Sequence, residues 1–303
     1  EISRPHAVAG HVSQEAAEET GLRAGTPVVY GGGDSHCALV GLGVVGSGEA
    51  GLLLGTNSTL RASFDGLVRA REKMVWVQQH VVPGHFTASA SSMAGSSVLS
   101  WFKGVCSDSE QDDPGAYRRL DSLAATVPPG SEGLLFHPYL FGERSPFYNA
   151  DAGGAFLALR HWHGKGHLVR SIMEGVAYSI ANCLDAIGDL AGEQYARLAT
   201  IRTGQSGGSQ LPVWRQIIAD VLGQPLEVVA AKEPGCLGAA LLAGAGIGLL
   251  GEVETAARRI AQVESRIMPD VANADLYRGK RTLFNETYRA LEPYLYPEST
   301  AAP

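Results

Sequence analysis

The chain has 303 residues, of which 45% are hydrophobic and 18% are charged, so it can bury a large core in one domain or two. Its net charge of −7 and the lack of a basic run argue against nucleic acid or an anionic membrane as a partner. No signal peptide or membrane span is evident, and the short, glycine-interrupted apolar run 237–250 predicts a buried helix. The cysteines are far apart and are interpreted as reduced core residues of a cytoplasmic protein: Cys37, Cys106, Cys183 and Cys236.

Two glycine-rich turns in the first fifth of the chain are the first candidates for a functional site. Residues 13–20 predict a capped helix, and the apolar run 27–30 predicts a buried strand that stops at three glycines and Asp34. A second apolar strand ends in a small polar turn with Gly55 and Thr56, whose N–H groups and hydroxyl suit phosphate oxygens. The plainer interpretation stays open here, in which Asp34 caps the next helix and the second turn is an ordinary hairpin turn.

The rest of the chain alternates predicted strands and helices, which indicates a mixed α/β protein. Trp101 and Trp214 fall at apolar helical positions and are predicted to lie in the core. The predicted elements are a hairpin over 75–90 that turns at Pro83 and Gly84, a helix from Gly95, a helix over 120–127, a strand over 133–140, a polar loop over 142–151, a helix over 167–190, a strand over 198–202, a helix over 211–222, a strand over 226–230, a glycine-rich helix around Cys236 and a helix over 272–291.

Residues 41–46 match the dinucleotide pattern G-x-G-x-x-G, and Asp65 follows about twenty residues later, as that pattern expects. A predicted strand follows the glycines, however, where the pattern needs a helix whose N-terminus holds the pyrophosphate. The match therefore does not favour a dinucleotide site.

Residues 204–208 match G-x-S-x-G in a strand–turn–helix setting, which would make Ser206 a hydrolase nucleophile. All nine histidines lie at or before His167, so none follows Ser206 in the chain order that this fold requires. The same turn also suits a nucleotide, because Gly207 and Gly208 let adenosine or phosphates lie against the backbone.

Two smaller polar groups carry weaker signals. The spacing of His161, His163 and His167 is not that of metal ligands, and no carboxylate or cysteine close to them in the sequence completes a ligand set. This favours a surface turn over a metal site. Glu143 and Arg144 could grip a ligand or form a local ion pair, and the sequence leaves both open.

Taken together, these stretches resemble the FGGY family of carbohydrate kinases over nearly the whole chain. The resemblance implies an actin-like (ribonuclease H-like) α/β fold with a mixed sheet flanked by helices. It rests on several motifs in family order, including Gly31-Gly-Gly-Asp34 and Gly207-Gly-Ser-Gln-Leu-Pro-Val-Trp. The stretches that carry it are 31–34, 54–56, 136–146, 151–156, 207–223 and 233–240.

The resemblance implies transfer of the γ-phosphoryl group of ATP to a sugar hydroxyl, with Mg²⁺ bridging the phosphates. A pentulose such as xylulose is the first expectation for the acceptor, and an aldonate such as gluconate is the next. Asp34 matches the aspartate that acts as base on the sugar hydroxyl. The positions that match nucleotide contacts are Gly55 and Thr56 for the ATP phosphates, Gly95 at the start of a helix, and Gly207 and Gly208 for adenosine.

The family pattern is incomplete in this chain. Residues 1–48 resemble the tail of the family's N-terminal domain, and residues 49–303 resemble its C-terminal, nucleotide-binding domain. The rest of the first domain, with a phosphate loop and most sugar contacts, has no counterpart, so the chain alone is expected to be inactive. The alternative is a non-catalytic ATP-binding or interaction module. The expected partners are a sugar and ATP, and exposed apolar surface could drive a homodimer.

Overall fold

The computed structural model describes residues 3–67, 74–106, 113, 115–192, 198 and 201–295. These residues contain both strands and helices, which confirms the predicted mixed α/β class. The strands are β1 (Val8–His11), β2 (Pro27–Val29), β3 (Ala50–Leu54), β4 (Ser58–Phe64), β5 (Trp76–Gln79), β6 (Phe86–Ser92), β7 (Leu135–His137), β8 (Ala155–Leu157), β9 (Ile201–Thr203), β10 (Leu226–Val229) and β11 (Val263–Ile267). The helices are α1 (Gln14–Thr20), α2 (Asp34–Gly41), α3 (Ser96–Val105), α4 (Ala116–Ala125), α5 (Lys165–Ala191), α6 (Pro212–Leu222), α7 (Pro234–Gly246), α8 (Val253–Ile260) and α9 (Val271–Leu291).

Seven strands form one mixed sheet, in the order β11-β10-β9-β3-β4-β6-β5. Strand β9 runs parallel to both β3 and β10, whereas the other neighbours are antiparallel. Parallel strands place their carboxyl ends at one edge of a sheet, so the turns after β3, β9 and β10 lie close together there. Two smaller antiparallel sheets pair β1 with β2 and β7 with β8.

Successive residues of β3 show that helices cover both faces of this sheet. Ala50, Leu52 and Leu54 belong to the larger hydrophobic core, which includes residues of α3, α5 and α6. Gly51 and Leu53 point to the other face, where Leu53 packs against a second cluster that includes residues of α2. Side chains alternate between the two faces of a strand, so each core takes every second residue of β3.

Helix α5, predicted over 167–190, is buried on almost every side. Its one buried ion pair joins Arg170 Nε to Glu174 Oε1 at 2.9 Å, and the Tyr277 hydroxyl of α9 donates to the same oxygen at 2.7 Å. The remaining oxygen of Glu174 accepts from Ser131 Oγ at 2.8 Å, so the buried charges are satisfied within the core.

Some expectations about burial are wrong. The predicted strand at residues 27–30 forms but is not buried, because β2 pairs with β1 outside the main sheet and leaves Tyr30 60% exposed. Trp214 is fully buried as predicted, whereas Trp101 is 37% exposed on the outer side of α3. Cys37 and Cys183 are buried, but Cys106 and Cys236 are exposed at helix ends and are not core residues.

Two elements near the C-terminus were not predicted, namely α8 and β11. Helix α8 has only eight residues, which is too short for a clear apolar periodicity. Strand β11 lies at the edge of the sheet, and its sequence is too polar to be recognised as a strand. None of the helices described here is long and apolar enough to cross a lipid bilayer.

Helices α2 and α7 cross at unusually short range. A side chain added at Gly238 would overlap the carbonyl of Cys37, and one at Gly41 would overlap the carbonyl of Pro234. This contact fixes the position of Asp34, the first residue of α2, relative to the sheet. The predicted domain boundary at residue 48 stays a prediction.

We expect Gly238→Ala to destabilise the protein by about 2–4 kcal/mol, because its methyl group has no room against the backbone of α2. Gly279→Ala in α9 is the matched control, since nothing lies within 4 Å of the added Cβ, and it should stabilise by about 0.5–1 kcal/mol. Urea unfolding of both variants measures the difference. Equal stabilities would contradict the close packing of α2 on α7.

Candidate active site

The turn after β3 packs directly against the N-terminus of α3. Ser96 N donates to the Gly55 carbonyl at 2.8 Å, and Ser97 donates to the Thr56 carbonyl through its N at 3.2 Å and its Oγ at 2.7 Å. A Cβ at Gly95 would lie 2.5 Å from the Thr56 carbonyl oxygen, so only glycine permits this approach. The two loops therefore form one rigid turn in which Gly55 and Thr56 remain exposed.

The Ser96 hydroxyl joins this turn to the turn that follows β9. It accepts from Gly208 N at 2.8 Å and donates to the Leu54 carbonyl at 3.2 Å. Gly207 has φ +54°, and a side chain there would overlap the Leu54 carbonyl. A Cβ at Gly208 would lie 2.7 Å from the Trp214 ring, so backbone forms the wall of the site here.

Five of the six predicted site residues thus converge at the carboxyl edge of β3 and β9. A cavity of about 420 Å³ opens beside them, large enough for a nucleoside, with apolar and polar groups on its walls. A second, open cavity of about 550 Å³ adjoins it and shares Ser96, Ser100 and Gly207. The first cavity is lined by Ser96, Leu99, Ser100, Tyr117, Arg118, Gly207, Gly208, Gln210, Leu211 and Trp214. The second also includes Gly55, Thr56, Ser97, Trp101 and Phe141.

Asp34, the sixth predicted residue, lies outside this cluster. It is exposed at the first position of α2, where Oδ1 accepts from the backbone N of Ser35 at 2.6 Å. Its carbonyl oxygen would be 3.6 Å from a Cβ at Gly235, in the first turn of α7, and the adjacent Pro234 packs against Gly204. The start of α7 therefore connects Asp34 with the turn after β9. Among the described residues, no hydrogen bond joins Asp34 directly to that cluster.

Glu143, whose role the sequence leaves open, is buried next to the segment that leads into Gly95. It is 2% exposed, and its carboxylate accepts from Ser92 Oγ at 2.7 Å, Met93 N at 2.9 Å and Arg144 N at 2.7 Å. The ion pair with Arg144 does not form, because Arg144 contributes only its backbone N–H and places its guanidinium over the Trp76 ring. Glu143 instead holds the end of β6 that leads into Gly95. Burial raises the pKa of Glu143 to about 7.

The other motifs have structural roles in the described part of the chain. The turn at residues 41–46 is occupied by the protein's own Glu49, which accepts from Val45 N at 2.8 Å and Gly46 N at 2.9 Å. His163 and His167 accept backbone N–H groups through Nδ1, at 3.1 Å each. No hydrogen bond links Ser206 Oγ to a histidine, and no group of three or more metal-ligating side chains is found, both within the described residues.

A profile described as the FGGY family of carbohydrate kinases, C-terminal domain, matches residues 52–247. The chain belongs to the FGGY family of carbohydrate kinases. The matched region contains Gly55, Thr56, Gly95, Gly207 and Gly208.

Two curated relatives match this FGGY chain over most of its length. It is 28% identical to a xylulose kinase of Staphylococcus epidermidis over 95% of the chain and 56% of that protein. It is 30% identical to a gluconokinase of Bacillus licheniformis over 94% of the chain and 56% of that protein. The chain thus spans about half the length of the relatives it matches.

The crystal structure of xylulose kinase from Rhodospirillum rubrum superimposes with a TM-score of 0.81 at 29% identity, covering 97% of the chain and 57% of that structure. The FGGY chain accordingly has the actin-like ATPase fold that its sequence predicts, with a mixed sheet flanked by helices.

Glu143 makes stability depend on pH. The pKa of Glu143 in the folded protein is about 7, above its ordinary value of 4.5, so the protonated side chain stabilises the fold. This contribution to the free energy of unfolding is complete below pH 4.5 and is lost as the pH rises through 7. We expect wild type to lose roughly 2 kcal/mol relative to Glu143→Gln between pH 5.5 and pH 8. Urea unfolding of both proteins at the two pH values measures this. A constant difference between them would show that Glu143 does not titrate in this window.

Proposed function

We propose that this FGGY protein takes part in ATP-dependent phosphorylation of a sugar hydroxyl. The observation that supports this most strongly is the convergence of two turns on adjoining cavities: Gly207 and Gly208 line a nucleoside-sized cavity, and Gly55 and Thr56 line the open cavity beside it. Exposed backbone at Gly55 and Thr56 would contact the phosphates of ATP, and the adjoining cavity would hold adenosine.

Phosphoryl transfer depends on position and charge neutralisation more than on covalent chemistry by the protein. Asp34, exposed beside the start of α7, would accept the proton of the attacking hydroxyl as general base. The charge of the ATP phosphates would be neutralised in part by Mg²⁺ bound to the nucleotide. The rigid Gly55–Gly95 turn would keep the phosphates in one orientation.

A second candidate is nucleotide binding without turnover, because the turns at Gly55 and Gly207 lie together at the cavities while Asp34 lies outside that cluster. In this case the nucleotide cavity would be intact and the acceptor would lack part of its site. Both candidates predict nucleotide binding by the chain, and they differ only in whether the chain itself phosphorylates a sugar. Sugar phosphorylation is therefore assayed with two proteins, the purified 303-residue chain and the longest gene product that contains it.

Asp34→Asn should lower turnover by orders of magnitude in the longest gene product that contains these residues, while the Kd for ATP stays within about twofold. The amide keeps the size of the carboxylate but cannot accept a proton. Coupled ADP-release kinetics measure turnover, and calorimetric titration measures ATP affinity. Near-normal turnover would remove Asp34 from the mechanism.

Gly207→Ala should weaken ATP binding to the 303-residue chain at least about tenfold, because the methyl group displaces the Leu54 carbonyl at the cavity wall. Gly192→Ala is the matched control: Gly192 has the same φ of +54°, but nothing lies within 4 Å of its added Cβ. Titration with a fluorescent ATP analogue gives both affinities. Equal affinities in the two variants would place the nucleotide elsewhere.

A further inference from the structure

The three residues that connect β6 to α3, residues 93–95, lie against the turn that follows β3. The Ala94 carbonyl accepts from Ser58 N at 3.1 Å and from Ser58 Oγ at 2.7 Å. A Cβ at Gly95 would lie 2.5 Å from the Thr56 carbonyl oxygen, so the two backbones are in direct contact. The 93–95 connection therefore supports one side of the turn that the phosphates of ATP would contact.

Glu143 holds the same connection through its peptide N–H groups. The carboxylate accepts from Met93 N at 2.9 Å through Oε1 and from Ser92 Oγ at 2.7 Å through Oε2. The Ser92 hydroxyl in turn accepts from Ala94 N at 3.1 Å. A chain of hydrogen bonds thus runs from Glu143 through the connection to Ser58, which follows the turn directly.

The donors around Glu143 suit an ionised carboxylate. Oε1 accepts from Arg144 N at 2.7 Å as well as from Met93 N, and Oε2 accepts from the Ser92 hydroxyl. A carboxamide in this place would turn an N–H against these N–H groups, or would leave the Ser92 hydroxyl proton without its acceptor. Glu143 is 2% exposed, so water does not readily replace a lost acceptor.

Glu143 belongs to a loop that borders the open cavity. Phe141, two residues earlier, lines this cavity together with Gly55 and Thr56. Neither Phe141 nor Glu143 is among the residues that line the nucleoside-sized cavity. The influence of Glu143 should therefore fall on the phosphates of a nucleotide and not on its nucleoside.

We propose that Glu143 is a positioning residue for the phosphates of ATP, because its carboxylate holds the 93–95 connection and the connection holds the turn at Gly55 and Thr56. This inference rests on the proposed nucleotide binding and adds to it a buried residue that does not touch the nucleotide. A phosphate is bound by peptide N–H groups that point at it together. A turn that loses its support should therefore bind phosphates more weakly while the adjoining cavity stays intact.

The test uses two substitutions in this chain of hydrogen bonds, alone and combined. Glu143→Gln keeps the shape of the side chain, and Ser92→Ala removes the hydroxyl that is the next link. Asp220→Asn is the matched control, since Asp220 is also a buried carboxylate, 1% exposed, and accepts from Asp270 N at 2.8 Å. It lies six residues beyond Trp214 of the cavity wall, at the other end of α6.

Two measurements separate an effect on the turn from an effect on the whole protein. Titrations of the 303-residue chain with ATP, ADP and adenosine are made at pH 8, where Glu143 is ionised because its pKa is about 7. Hydrogen exchange of peptides that cover residues 54–58, followed by mass spectrometry, reports on the turn directly and needs no nucleotide.

We expect Glu143→Gln to weaken ATP and ADP binding roughly tenfold and to leave the Kd for adenosine within about twofold. Ser92→Ala should have a similar effect, and the double variant should bind ATP no more weakly than the weaker single variant, because both changes break one chain. Asp220→Asn should match wild type for all three ligands. Exchange at residues 54–58 should be faster in Glu143→Gln than in Asp220→Asn.

Three results would overturn the inference: unchanged ATP affinity in Glu143→Gln, equal losses of ATP and adenosine affinity, or additive effects of the two substitutions. Equal losses would mean that Glu143 supports the domain as a whole. If Glu143→Gln does not fold, the comparison of ATP with adenosine in Ser92→Ala decides. If wild type binds no nucleotide, the proposed function fails; faster exchange at residues 54–58 then still supports the hold of Glu143 on the turn, and unchanged exchange refutes it.

Discussion

The site depends on backbone segments that approach one another more closely than side chains allow. At the carboxyl edge of β3 and β9, the carbonyls of Leu54 and Thr56 occupy the space that side chains at Gly207 and Gly95 would need. The Ser96 hydroxyl then satisfies both Gly208 N and the Leu54 carbonyl, so the approach leaves these groups hydrogen bonded. Bare peptide groups are thereby presented to solvent in a fixed arrangement, which is the surface that a phosphate requires.

Topology explains why three distant stretches of chain meet there. Strand β3 is parallel to β9, and β9 is parallel to β10, so the segments that follow them emerge at one edge. The start of α7 follows β10, and its contact with α2 brings Asp34 toward the same edge. Residues that are separated by more than 150 positions in sequence thus become neighbours through the order of strands, without any local signal.

The two faces of the sheet also carry different kinds of side chain. On the side of α3 and α6, apolar residues such as Leu99 and Trp214 wall a cavity that suits a nucleoside. On the side of α2, β4, β6 and β5 present Arg61, Ser89 and Gln78, which are polar. Because side chains alternate along a strand, β4 serves both: Leu60 and Ala62 enter the core while Arg61 between them faces the polar side.

The sequence by itself determined the fold class and most of the helices and strands. Apolar periodicity predicted the long helix and most strands, and the glycines Gly95, Gly207 and Gly208 marked turns, although the atoms that exclude a side chain there belong to other segments of the fold. Tertiary structure alone decided that Trp101 is exposed and that Glu143 is buried against β6. Those outcomes depend on which residues the strand order places opposite one another, and a pattern read along one chain does not contain that information.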